Sequence, residues 1–93
     1  MISEQEEKQA AAERPKTYGE WRVGIDFNPS GDLNVKMVKT AAAAMIDDLE
    51  TRKPPYWAES ELDTEKRRLL VCAQDKVDSA CMDVVKAITK KSR

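Results

Sequence analysis

Histidine is absent from the 93 residues, and with it go the commonest general base and the commonest metal ligand. The only two cysteines, Cys72 and Cys81, have no CxxC spacing, so a zinc site is not expected. On one helix they would stand about 13 Å apart at ~1.5 Å per residue, beyond the ~7 Å reach of a disulfide. Free thiols of that kind suit a reducing cytoplasm. No Gly-rich phosphate loop is present. No apolar stretch approaches the ~20 residues that cross a membrane. The opening Met1-Ile2-Ser3-Glu4 lacks the basic and apolar regions of a signal peptide. Aromatic residues make up only 5% and the formal net charge is -1, so the chain as a whole attracts neither a nucleic-acid polymer nor an anionic membrane. These absences predict a protein that is not an enzyme, has no metal or cofactor, and binds no DNA, RNA or membrane.

What is present is charge and helical periodicity. Charged residues make up 35% of a chain long enough for one domain, 1–93, with a core that is marginal for a chain folding alone. Burial against other copies is the natural remedy. Residues 1–15 are rich in Glu, Gln, Lys and Ala and end at Pro15, and they read as a short N-terminal helix. Residues 16–31 contain Trp21, Val23, Ile25 and Phe27 in period-two alternation, which predicts an extended arm. Asn28-Pro29-Ser30-Gly31 closes it as a turn, with the Asn28 side chain bonding the backbone ahead and Ser30 or Asp32 capping the next helix.

Two long helices come next. Over 32–53, Val35, Val38, Ala42, Met45 and Leu49 step by three and four, and Pro54-Pro55 ends the pattern. Over 60–90, Leu70, Ala73, Val77, Ala80, Val84 and Ile88 repeat that stepping, with Leu69, Cys81 and Val85 as a second apolar edge. A short loop between two such helices makes an antiparallel hairpin. The expected fold is therefore all-α: a short N-terminal helix and extended arm, then a long antiparallel hairpin. The second apolar edge predicts an oligomer.

The residues that could bind a ligand are aromatics and cations. Phe27 and Asn28-Pro29 precede a helix that carries Lys39, while Arg22, Arg67 and Arg68 add positive charge. A flat aromatic beside a cation suits a nucleotide, whose base stacks and whose phosphate pairs with Lys or Arg. Taken one at a time, these residues have plainer readings: Phe27 as core, Lys39 as a solvated surface lysine, Arg67 and Arg68 as a helix's charged face.

A wider pattern joins them. Arg22-Val23-Gly24-Ile25-Asp26-Phe27-Asn28-Pro29-Ser30-Gly31, with Val35 and Lys39 at their spacing, resembles the segment that opens a helical hairpin shared by two families of phage anti-defence sponges, against CBASS and against Thoeris. Arg68 to Gln74 and Ala80 to Thr89 resemble the last helix of the same hairpin, and the short Glu-rich start favours the anti-CBASS branch. The resemblance covers residues 18 to 89, and Asp83 departs from it where a large apolar residue is expected. It implies a homohexamer in the host cytoplasm that binds cyclic di- and trinucleotides in separate pockets at subunit interfaces. It places Phe27, Asn28 and Lys39 with the cyclic dinucleotide, and Arg68, with Arg67 as the alternative, with the trinucleotide. The rival expectation is a small helical adaptor that binds another protein through its apolar edge.

Overall fold

The computed structural model describes residues 14–90, which form three helices and no strand. The N-terminal helix expected over 1–15 lies outside the described residues apart from Arg14 and Pro15, neither of which is helical. Helix α1 spans Tyr18–Val23, α2 spans Leu33–Thr51 and α3 spans Glu61–Thr89. The two long helices pack as the hairpin, and α1 lies mainly on α2. No helix among the described residues is long and apolar enough to cross a membrane.

Helix α1 replaces the expected extended arm. Thr17 accepts from the Glu20 backbone N–H while the Glu20 side chain accepts from the Thr17 N–H, a reciprocal capping box. Gly24 ends the helix with φ 63°, the left-handed conformation that a residue without Cβ adopts at little cost. Local capping therefore overrides the period-two alternation. Val23 is buried, whereas Trp21 and Phe27 are exposed.

Gly19 explains how α1 sits so close. A Cβ at Gly19 would stand 2.1 Å from the Ala43 carbonyl oxygen, so only hydrogen fits there. The Gly19 N–H donates to Asp47 Oδ1 at 2.7 Å, which fixes the contact. Further along α1, Arg22 donates to the Tyr18 hydroxyl at 2.8 Å and reaches Asp75 at 2.9 Å and Asp78 at 3.1 Å on α3. Those bonds, Tyr18 first, hold the Arg22 guanidinium above its ordinary pKa. The short helix thus ties the two long ones together along one edge.

Asp32 caps α2 by accepting from the Asn34 N–H at 2.8 Å, and Ser60 caps α3 by accepting from the Asp63 N–H at 3.1 Å. The core is small: Val23, Ala43, Ile46 and Cys81, with Ile25, Val38, Ala42, Val77 and Val85 packed around it. Its centre on α2 is Ala43 and Ile46, whereas Met45 is exposed, because α1 comes down on the Ala43 side. On α3, Cys81 and Gln74 face inward, whereas Ala80 and Val84 face out. Gln74 is buried and donates to the Ile46 carbonyl at 3.1 Å and to Glu50 at 2.8 Å.

One edge of the hairpin has no cover among the described residues. Leu62, Leu69, Ala73, Ala80, Val84 and Ala87 fall within an arc of about 60° on α3 at ~100° per residue, and all are exposed or half-buried. Ala41 and Met45 extend this surface on α2 and are exposed. Around each helix this edge is about half a turn from the contacts made by α1.

Candidate functional site

The turn between α1 and α2 builds the site. Phe27 N–H donates to the Gly24 carbonyl at 2.9 Å, and Gly31 N–H donates to the Asn28 carbonyl at 3.1 Å. Asn28 Nδ2 donates to the Asp32 carbonyl at 2.9 Å. Ser30 donates to Asn28 Oδ1 at 2.9 Å and accepts from the Asp32 N–H at 3.2 Å. The side chains of Asn28 and Ser30 are therefore used to hold its shape.

Lys39 locks that turn to the helix beneath it. The residue is 3% exposed, so the solvated surface position expected of it is corrected. Its ammonium donates to the Gly24 carbonyl at 3.0 Å and also to the Phe27 carbonyl. The cause is the fold-back of α1, whose C-terminal turn brings both carbonyls over α2. A buried ammonium is costly unless its donors are met, and these two carbonyls meet two of the three.

Phe27 is the second correction. Its ring is 72% exposed rather than part of the core, because the backbone at Gly24 turns it away from Val23 and Ile25. Lys39 Nζ lies 5.5 Å from the ring centroid, within cation–π range. Phe27, Asn28, Pro29 and Lys39 line one cleft of about 210 Å³, completed by Met82 and Val85 of α3. Cys81 lies buried behind Lys39. Its burial pushes the thiol pKa up, and the Lys39 charge offsets only part of that.

The arginines lie elsewhere. Arg22 is taken up by Tyr18, Asp75 and Asp78 on the edge that α1 covers. Arg67 donates to the carbonyls of Pro55 at 2.9 Å and Ala58 at 3.2 Å, closing the loop between the long helices. Arg68 is exposed and paired with Glu65. Between Arg68 and Val85 the helix rises about 25 Å at ~1.5 Å per residue, so one chain keeps Arg67 and Arg68 apart from the Phe27 cleft. The chain matches no protein-family model, no curated protein and no solved structure.

Sequence reasoning missed two residues that set how the helices pack. Gly19 carries no signal except its place after a helix cap. Gln74 sits within an apolar pattern, where its burial depends on the Ile46 carbonyl and Glu50 being opposite it.

Proposed function

We propose that this chain is a non-catalytic, self-associating sponge for cyclic di- and trinucleotides, which keeps these messengers from the effectors of host antiphage CBASS signalling. The observation that carries the reading is the exposed Phe27 ring at a cleft whose wall holds the Lys39 ammonium. Stacking a base on such a ring contributes about 1–3 kcal/mol, and the adjacent cation attracts a phosphodiester. The third N–H of Lys39 is the donor for a phosphate oxygen, with the other two already on carbonyls. The choice of cyclic nucleotides, the CBASS setting in the host cytoplasm and the hexamer rest on the resemblance of residues 22–31 and of the last helix.

Size supports self-association. The cleft of about 210 Å³ is smaller than the ~300–1,000 Å³ of pockets that enclose a small ligand. A cyclic dinucleotide therefore needs a second wall, and another copy of the chain is its natural source. In such an assembly Arg68, with Arg67 as the alternative, serves a separate trinucleotide pocket. A groove of about 500 Å³ along Leu33, Met37, Ala41 and Ala44 favours the adaptor as a second reading, since an apolar helix face also fits a partner helix.

The test is calorimetric titration with a panel of cyclic di- and trinucleotides, followed by chromatography of the ligand after denaturing the protein. Saturable binding with the ligand recovered intact is expected. A ligand at 100 times its Kd should stabilise the fold by about 2.7 kcal/mol. Absence of binding across the panel would leave the adaptor reading in front, and a hydrolysed ligand would refute the non-catalytic one.

A further inference from the structure

Phe27 stands between two clefts that differ in charge. One is the Lys39 cleft. The other, also about 210 Å³, is lined by Lys16, Glu20, Trp21, Ile25, Asp26 and Phe27. Trp21 is 69% exposed, an unusual position for a side chain of that area. Its packing among the described aromatics is an offset stack on Tyr18, with centroids 6.3 Å apart and planes inclined by 29°.

We propose that this second cleft is a base-binding subsite, taking a planar nucleobase of the ligand against Trp21 and the adjoining side of Phe27. The proposal rests on the nucleotide reading of the Lys39 cleft and extends it to Trp21. Both aromatics are set on a stiff framework: Trp21 on the capped helix α1, and Phe27 on a turn bonded to Gly24 and clamped by Lys39. Little ordering entropy is then lost when a ring enters between them.

Charge decides which part of a nucleotide enters. The cleft presents one cation, Lys16, against two carboxylates, Glu20 and Asp26, and Lys16 is paired with Asp26 at 2.8 Å. It offers no net positive charge to a phosphate, whereas the Lys39 side does. A base suits it better, because a base is uncharged and its ring N–H and amino groups can donate to a carboxylate. A cyclic dinucleotide has two bases joined by charged linkages. One base can lie on the Trp21 side of Phe27 with a phosphodiester toward Lys39.

The experiment uses the full chain and cyclic di-GMP and cyclic di-AMP as probes. Binding is measured by calorimetry for the parent, Trp21→Ala and Trp21→Phe. The emission of Trp21 is followed in a Trp57→Phe background, where it is the one tryptophan left. Expected are affinity weakened about tenfold or more by Trp21→Ala, the scale of one lost stack, substantial recovery with Trp21→Phe, and quenching of Trp21 at saturation. If the parent binds and Trp21→Ala binds within twofold of it, the subsite is overturned while the nucleotide reading stands. Unchanged Trp21 emission at saturation overturns it whatever the variants do. A parent that binds neither probe overturns the subsite, while the nucleotide reading falls only if the whole panel fails to bind.

Discussion

The buried ammonium of Lys39 donates to the main-chain carbonyl of Phe27, while the ring of that same residue stands out in solvent 5.5 Å from the nitrogen. A cation inside the fold therefore sets the position of an aromatic outside it. Lys39 acts on the cleft by holding the turn as well as by its charge, and Phe27 by contact alone, so substitutions should separate them.

Lys39→Met should lower stability by about 1.5–3 kcal/mol, because it removes a charged donor and leaves the Gly24 and Phe27 carbonyls unmet. Phe27→Ala should change stability by no more than about 0.5 kcal/mol, as is usual for an exposed side chain, yet weaken cyclic-dinucleotide binding by about 1–3 kcal/mol. Urea unfolding and calorimetry on the same samples measure both. A Lys39→Met protein as stable as the parent would show that the clamp does not hold the turn.

Gly19→Ala should be among the most disruptive single-methyl changes. The new Cβ would meet the Ala43 carbonyl oxygen at 2.1 Å, and neither backbone can yield without parting α1 from α2. A cost of about 1–3 kcal/mol is expected from overpacking, against a gain of under 1 kcal/mol in helix propensity. Thermal melting by circular dichroism checks the sign: a raised midpoint would contradict the close approach.

Acid should weaken the fold through Glu20 and Glu50. The Arg14 guanidinium and the Thr17 N–H hold Glu20 below the ordinary carboxylate range, and Gln74 and Lys53 do the same for Glu50. A carboxylate whose folded pKa is depressed stabilises the fold above its unfolded value, about 4.3 for Glu. That contribution is lost as pH falls through the folded value. Urea midpoints should therefore drop on acidification below about pH 4.3, and the Glu20→Gln, Glu50→Gln double variant should show a flatter profile there. Parallel profiles would place the acid sensitivity elsewhere.

The uncovered edge of the hairpin should be an interface between copies. Light scattering at micromolar concentration should return a mass above the 10.5 kDa of one chain. Leu69→Glu with Val84→Glu, both on exposed positions, should reduce that mass while leaving the helical circular dichroism in place. A parent chain that scatters as 10.5 kDa would remove the basis for a shared pocket.

Cys81 should resist thiol alkylation longer than Cys72 in the native protein. Cys81 is buried with its thiol pKa pushed up, and Cys72 is half-buried. The thiolate is the reactive form, so burial acts on both access and ionisation. Mass spectrometry of a timed labelling reaction would show the order, and equal rates would mean that α3 opens at Cys81.

The long hairpin was legible from residue order alone. Apolar steps of three and four and the break at Pro54-Pro55 are local signals, and they read the same in any fold that keeps the helices. The turn at Asn28 was legible for the same reason, since its side-chain bond to Asp32 spans only four residues. Helix α1 was written in Thr17, Glu20 and Gly24, but the alternation of Trp21, Val23, Ile25 and Phe27 masked it, and capping bonds won over an alternation with no second strand to pair with. Only the tertiary structure decided which side chains lie inside. Lys39 is buried because α1 folds back and sets two carbonyls over it, and Phe27 is exposed because the same turn points its ring outward. Both outcomes depend on contacts between residues 12 to 15 positions apart. No local pattern of polarity encodes them, since a lysine and a phenylalanine each took the environment that composition assigns to the other.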